Sequence, residues 1–434
     1  MQERNPRDFD GFYDVIIVGG RPAGASLAAH LGSRGVKVLV MDRTEPSAGP
    51  SVPSCPVLYP SSMRLLDELG VDERLYGVES AKLHGFVLQF VGHFQADLPM
   101  PEIHGRDYVC TIERPVFDTA LWNNLARYPS VEARTGFSVT ELLRDGEGTV
   151  IGVAGHAPGG KPERLGARCV VGADGRYSPV AHMAGAKVRE EQRQYVSSVY
   201  FTDWEGLSGL TGPSTGRMQV ILSGKGHNVL VFPYSKTKAT LCAYVRADHL
   251  PRGGFDAETF YREKLESFPE VREAIKGAHP LSRVLGMKRV ENGYREMGGP
   301  GWVLVGDALH YKDPGDGQGI YDALLESKLL AALLVSHVEG KLPWSELLAA
   351  YERQVLEETR PMYLATMQRL KQELYTTPPP IVIRTVLRWM LNDPEYQHRF
   401  VHFLSRAIHP SEFPPSMGGI VMRGLRRDLR ALFT

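Results

Sequence analysis

Three short segments, far apart in a chain of 434 residues, carry residue types that can hold a large phosphate-bearing cofactor: VIIVGGRPAG at 15–24, VVGADG at 170–175 and VLVGDALHYKDPGDGQG at 303–319. In the first, a β-branched run passes through Gly19, Gly20, Arg21, Pro22, Ala23 and Gly24 into an Ala/Leu-rich stretch over 23–34. A strand that delivers such a turn to a helix N-terminus sets unpaired N–H groups and the positive end of the helix dipole against a pyrophosphate. Gly19 permits the tight turn, and Gly24 lets helix and strand approach. Asp42 closes a second apolar run, VKVLVM at 36–41, about 20 residues past the turn, where a carboxylate accepts from an adenosine ribose or else caps the local turn. Arg43 beside it lies on the adenine side or in solvent.

The third segment adds a carboxylate and a helix start. Ionised Asp307 only accepts hydrogen bonds and suits ribityl hydroxyls, and the glycine-rich loop ahead of a helical stretch at 317–338 offers bare N–H donors to a flavin carbonyl. The order and spacing of the three segments suit one flavin-sized cofactor laid across a single domain. Arg21 stands where GxGxxG has its middle glycine, and its guanidinium could pair with a phosphate or a flavin-side group.

Composition narrows the class. Lys+Arg and Asp+Glu both number 50, so the net charge is zero and no basic block offers itself to nucleic acid. An apolar fraction of 43% is ordinary for a soluble α/β protein. The polar N-terminus MQERNPRDFDGFYD lacks a secretory signal and no run reaches the ~18 apolar residues of a membrane span, so a cytoplasmic protein without a transmembrane segment is expected. Cys55, Cys110, Cys169 and Cys242 form no CxxC and have no nearby His partner, which points away from a disulfide framework and from a metal site.

The elements that must position these residues follow from periodicity. Residues 14–41 read as a βαβ unit, and Leu65, Leu66 and Leu69 mark a helix within 61–75. Strands fill 83–112, a helix covers 114–128, and strands at 131–140 and 149–155 flank a DGEG turn. From 195 to 248 the sequence is β-rich, with SGKG and YSKTK as hairpin turns, and reads as a sheet covering a pocket. A helix at 256–275, a short buried strand at 301–306, and helices at 317–338 and 345–374 follow, before TTPPP at 376–380 breaks the pattern. The tail from 381, with IVIRTVLRWML and GLRRDLRALF, either docks on the protein's own body or presents apolar and basic faces to a membrane surface or a partner.

With ERPVFDTAL at 113–121 as a fourth motif, the chain over roughly 12–340 resembles the single-component FAD-dependent monooxygenases, flavoprotein aromatic hydroxylases that share the para-hydroxybenzoate hydroxylase fold. The resemblance implies that the first turn holds the ADP part of FAD, that Arg114 contacts the cofactor, and that Asp174 and Gly175 serve both FAD and the pyridine nucleotide. It further implies that Gly306 and Asp307 hold the ribityl and phosphate. Pro314, Gly317, Gln318 and Gly319 would run beside the pyrimidine edge of the isoalloxazine, where a helix N-terminus stabilises negative charge on reduced flavin. NAD(P)H is the implied reductant, bound transiently without a second Rossmann turn, and the flavin either swings or stays static. Oxygen would be activated as the flavin C4a-hydroperoxide, the protein mainly positioning substrate and excluding water without a required side-chain acid or base. The sequence departs from the family at Arg21, at Ala181 where an Arg often closes the DG motif, and at Tyr321 where an Asn usually follows GQG. The last two changes bear on the path of the reductant.

The implied fold is α/β: an FAD-binding Rossmann-like domain over 1–80, 110–182 and 285–340, an inserted β-sheet substrate domain over 81–109 and 183–284, and a helical C-terminal extension over 341–434. Phe232, Tyr234, His310 and Tyr321 are candidate pocket-lining residues, against plain core for the aromatics and a structural hydrogen bond for His310. The loop Pro53–Pro60 is either a flavin- or substrate-side wall or an ordinary rigid loop. The expected function is NAD(P)H- and O2-dependent hydroxylation or epoxidation of an apolar aromatic or polycyclic small molecule, with a separate flavin reductase as a further partner. Alternatives are a flavin-dependent halogenase, although no WxWxIP occurs and Lys82 is the only loosely placed lysine, a prenyl-chain reductase, and a non-catalytic flavin-binding protein.

Overall fold

Val15, Ile16 and Ile17 are wholly buried at the centre of strand β1 (Gly11–Val18). That run has no polar alternation because strands flank it on both edges and helices cover the sheet, leaving no solvent side. The computed structural model describes residues 8–77, 82–210, 216–251, 253–413 and 415–431. Residues 1–7 of the polar N-terminus, the expected domain boundary at 80/81 and the last residues of the tail lie outside the described residues.

Helix α1 (Pro22–Gly32) leads from β1 to strand β2 (Val38–Met41), and the parallel sheet continues with β3 (Val131–Arg134), β4 (Glu163–Gly172) and β5 (Trp302–Leu304). Its order is β5-β4-β1-β2-β3, with Val15 opposite Val38 and Cys169, Val170 opposite Trp302, and Val38 opposite Val131. The first half of β4 also pairs antiparallel with Val150–His156. Helix α2 (Gly319–Val338) packs on α1, where the Ser327 hydroxyl donates to the Ala23 carbonyl at 2.8 Å.

The second sheet runs His310–Tyr311, Leu285–Arg295, Val188–Glu205, Ala239–Arg246, His227–Pro233, Met218–Leu222, Gly85–Phe90, Phe94–Pro99. Strand Leu285–Arg295 and the pair His310–Tyr311, within the span assigned from sequence to the cofactor domain, therefore hydrogen-bond into this sheet. Alternation along Ala239–Arg246 divides its two faces. Leu241, Ala243 and Val245 pack with Phe260, Tyr261, Leu265 and Val271, whereas Cys242 and Tyr244 join the core that holds Met362, Tyr363 and Met367 of helix α3 (Trp344–Leu374). The helix expected over 256–275 is two, Ala257–Glu266 and Pro269–Ala274, because Pro269 has no N–H to continue the first and instead opens the second. Val401, Phe403 and Leu404 of the tail join the same core as Leu98 and Met100.

Close packing of the first turn is testable. A Cβ on Gly24 would fall 1.8 Å from the Gly19 carbonyl oxygen, a backbone atom fixed by the end of β1. Gly24→Ala is expected to destabilise the protein by about 1–3 kcal/mol in urea unfolding. A change within about 0.5 kcal/mol, as for an ordinary surface substitution, would contradict this packing.

Candidate functional site

Strands β1, β4 and β5 end side by side, so the segments that follow them meet. The Ala173 N–H donates to the Val18 carbonyl at 2.7 Å, and the Val305 N–H donates to that of Gly172 at 3.0 Å. Gly19, at φ +102°, lies so close to the 173–174 backbone that a Cβ would sit 2.4 Å from the Ala173 oxygen, and a Cβ on Gly306 would come 2.8 Å from that of Ala23. The crevice at the carboxyl ends of parallel strands is where open α/β sheets bind ligands.

Two helices present their N-termini here. Neither Arg21, the N-cap of α1, nor Gln318, the N-cap of α2, makes a side-chain cap. First-turn N–H groups that a helix cannot satisfy internally are therefore left for an anionic or carbonyl-bearing group. Pro22 opens α1 with its φ preset and no N–H to satisfy. Asp42 holds the first turn by accepting from the Gly20 N–H at 2.9 Å through one oxygen and from Thr44 through the other, which leaves lone pairs for a further donor. Arg43 is exposed.

Arg21 does not reach across the open turn. Its Nη1 donates to Asp118 at 2.7 Å and its Nη2 to the Thr44 hydroxyl at 3.2 Å. Asp118, with a fully buried side chain, also accepts from Arg114 Nε and Nη2 at 3.1 Å, and Arg114 Nη1 donates to the Ser54 hydroxyl at 2.6 Å. Two guanidiniums share one carboxylate, so the cluster carries one surplus positive charge beside the uncapped α1. Sequence reasoning found both arginines and missed the aspartate between them, although Asp118 lies four residues after Arg114, the helical spacing for such a pair.

In the second motif, Asp174 turns toward helix Pro179–Ala184, accepting from the Ser178 hydroxyl and from the Val180 N–H at 2.9 Å, and burial raises its carboxyl above the usual range. Gly175, at φ +81°, borders open space. Arg176, not singled out from sequence, is buried and donates to the Glu291 carbonyl at 2.6 Å and to that of Lys312 at 2.5 Å. It supplies a guanidinium to this region, as Ala181 cannot.

Asp307 is the acceptor left open in the third motif. Its carboxylate accepts no hydrogen bond among the described residues, and burial pushes it above the usual range against the pull of Arg176. A Cβ on Gly319 would meet only Asp307 Oδ1, at 3.9 Å, so both face one space. Below the turn, the Gly306 N–H donates to Glu326 at 2.7 Å. Glu326 is fully buried, and burial raises its carboxyl well above the usual range.

The Pro314–Gly319 loop is held from behind. Buried Asp313 accepts from the Ser197 hydroxyl, from Tyr244 at 2.6 Å and from the Gly315 N–H at 2.8 Å. Gly317, at φ +70°, lies over Tyr59 and Cys55. Gln318 is completely buried and donates through Nε2 to the Leu404 carbonyl at 2.8 Å, so its side chain points to the tail and only its backbone faces the crevice.

A narrow cavity abuts Pro314 and Gly315, walled by Ser54, Cys55, Pro56, Val199, Phe201, Leu230, Phe232 and the Thr240-Cys242-Tyr244 face. Of the four candidate lining residues, Phe232 reaches this wall. Tyr234 lies behind Thr240, with its hydroxyl 2.9 Å from the Thr240 oxygen. His310 is buried against Tyr294, ring centroids 4.2 Å apart and nearly parallel, and burial lowers its pKa to about 3. Tyr321 lies under the Arg406 guanidinium, 4.9 Å from its ring centroid. The loop from Pro53 enters the site directly through Ser54, Cys55 and Pro56.

The sequence model of the family described as FAD binding domain matches residues 12–363. The chain is 29% identical over 334 residues to 6-methylpretetramide 4-monooxygenase of Streptomyces rimosus, covering 72% of this chain and 73% of that protein. It is 25% identical over 364 residues to digeranylgeranylglycerophospholipid reductase of Methanocella arvoryzae, covering 80% and 83%. The solved structure of the flavin-dependent brominase Bmp2 superposes with a TM-score of 0.78 at 17% identity over 96% of this chain and 100% of that one, a likeness of fold.

FAD fits the residues present: two uncapped helix N-termini, an open carboxylate at Asp307 and empty space beside Gly175 and Gly319. Asp307→Ala is expected to weaken FAD retention at least tenfold, measured by flavin absorbance after gel filtration, while apoprotein stability is not lowered, because the carboxylate has no described hydrogen-bond partner to lose and its burial disfavours the ionised form. Retention equal to wild type would remove Asp307 from the cofactor site. Matched across four-fifths of its length and built around this crevice, the chain belongs to the FAD binding domain family and is an FAD-dependent oxidoreductase.

Proposed function

We propose that the protein is an FAD-dependent monooxygenase that uses NAD(P)H and O2 to hydroxylate or epoxidise an apolar aromatic or polycyclic small molecule. The observation that carries this reading is the cavity beside Pro314 and Gly315, none of whose described lining side chains is charged. Bound FAD would supply electron uptake from NAD(P)H and the activation of O2. Gly19–Gly24, Asp42, Arg114, Asp307 and the Pro314–Gly319 backbone would hold it, with Arg21 and Arg176 adding positive charge nearby. The uncapped start of α2 favours negative charge on a reduced ring, and the apolar walls of Val199, Phe201, Leu230 and Phe232 exclude water from the reacting centre. In this reading the protein works in the cytoplasm, and NAD(P)H reduces it directly or through a separate flavin reductase.

A prenyl-chain reductase is the second reading, because the same uncharged walls would accept an isoprenoid chain. The halogenase alternative loses its candidate lysine: Lys82 Nζ lies 3.3 Å from Glu73 and donates to the Tyr108 hydroxyl at 3.1 Å on the surface. The deciding experiment reduces the yellow protein anaerobically with NADPH or NADH in the presence of polycyclic phenols or an isoprenoid, with and without bromide or chloride, then admits oxygen. The expected result is product heavier by one oxygen atom and formed only after the oxygen pulse. Hydrogenated product formed without oxygen would establish the reductase, and bromide- or chloride-dependent product the halogenase.

A further inference from the structure

We propose that the C-terminal helix Met417–Ala431 docks the protein peripherally on an anionic lipid surface. One side of this helix is fixed to the body: Ile420 is fully buried, a Cβ on Gly424 would fall 2.3 Å from the Trp389 ring, and Asp428 accepts from the Trp389 indole N–H at 2.8 Å. The neighbouring side is apolar and turned outward. Met422, Leu425 and Leu429 are 52%, 41% and 54% exposed, and their i, i+3, i+7 spacing aligns them in one stripe. Next around the helix comes the exposed Arg426, followed by Arg423, tied to Asp393 at 2.6 Å, and Arg427, which donates to the Asn392 carbonyl at 3.0 Å. Anchored face, apolar stripe and basic face thus follow one another around a single helix. Isolated exposed leucines need no explanation, but an aligned stripe rimmed by arginines has the form of a helix lying in a membrane interface.

Charge selects the occupant. Residues 380–434 hold eight arginines and no lysine against four acidic residues, and with Arg406 buried on Asp322 a surplus of three positive charges is left in a chain whose total is zero. Anionic headgroups complement that surplus. A two-fold dimer meeting stripe to stripe would bring the basic faces of both copies together. Three side chains also fall short of the roughly 1,200 Å² that a stable protein interface buries. No described helix is long and apolar enough to cross a membrane, so the contact is peripheral.

The flavin-loaded full chain is sedimented with vesicles of phosphatidylglycerol mixed into phosphatidylcholine, and with phosphatidylcholine alone, and protein is measured in the pellet. The expected partition is about tenfold or more in favour of the phosphatidylglycerol vesicles, weakened by high salt. It is expected to be lost in Leu425→Glu/Leu429→Glu and reduced in Arg426→Glu, all at exposed positions and with unchanged melting temperature. Equal partition on both lipids, no binding, or full retention by the double variant would overturn the proposal. Self-association of the wild type that the double variant abolishes, without vesicle binding, would also overturn it and assign the stripe to a second copy. Should the double variant melt early, the Arg426→Glu and salt arms decide alone.

Discussion

Everything at the crevice depends on three parallel strands that finish at the same level. Val18, Gly172 and Leu304 are register partners across β1, β4 and β5, and in the turns beyond them Gly19 packs against Ala173 and Gly306 against Ala23 too closely for a larger side chain at either glycine. Hydrogen bonds between strands, rather than contacts between the turns, therefore bring Gly19, Ala173 and Gly306 together from distant parts of the chain. The glycines are steric consequences of that convergence. Gly24 lies against Gly19 and Gly306 against Ala23, so the first and third motifs are packing partners before any cofactor enters.

Buried charge then fixes what the strands bring together. Asp118 between two arginines and Asp313 behind the Pro314 loop are carboxyl groups withdrawn from water and satisfied by several donors, and buried Glu326 accepts from the Gly306 N–H. Removing a hydrogen-bond partner from such a buried group costs about 1–3 kcal/mol, so these clusters hold their loops in one arrangement. The tail takes part in the same way. Asp322 in the first turn of α2 is held by Lys312 at 2.6 Å and by Arg406, which, against its burial, keep its carboxyl below the usual range. With Gln318 bonded to the Leu404 carbonyl, the C-terminal region is a clamp on the start of α2.

Local chemistry was legible in the sequence and non-local chemistry was not. The βαβ unit, both hairpin turns of the middle sheet and the helix after Gly319 follow from short-range periodicity and turn residues, and they stand where expected. The partners of Arg21 and the role of Arg176 depend on which side chains the fold carries to the same place, which no spacing records. His310 and Tyr234 have the residue type of pocket groups, but one lies on Tyr294 and the other behind Thr240. Pro269 was a visible break inside the predicted 256–275 helix, and the apolar periodicity on both sides of it concealed that. Strand Leu285–Arg295 has no local mark of the sheet it joins; its long pairing with Val188–Glu205 decides.

The hydroxyls around the cavity explain why its character is apolar although Ser54, Thr240 and Tyr244 all touch it. Each is engaged away from the space it borders. Ser54 accepts from Arg114 at 2.6 Å, Thr240 donates to Asp203 at 2.5 Å, and Tyr244 donates to Asp313 at 2.6 Å. A hydroxyl whose proton is already given to a buried carboxylate has little to offer a ligand's acceptor, and transferring that proton to a ligand would leave the carboxylate unsatisfied at a cost of about 1–3 kcal/mol. The same bonds that brace the cofactor loop and the strand thus take the Thr240 and Tyr244 protons out of the wall, whereas Ser54, which only accepts from Arg114, keeps its own. Under the proposed function, recognition would rest mainly on shape and on Val199, Phe201, Leu230 and Phe232, which suits an apolar substrate.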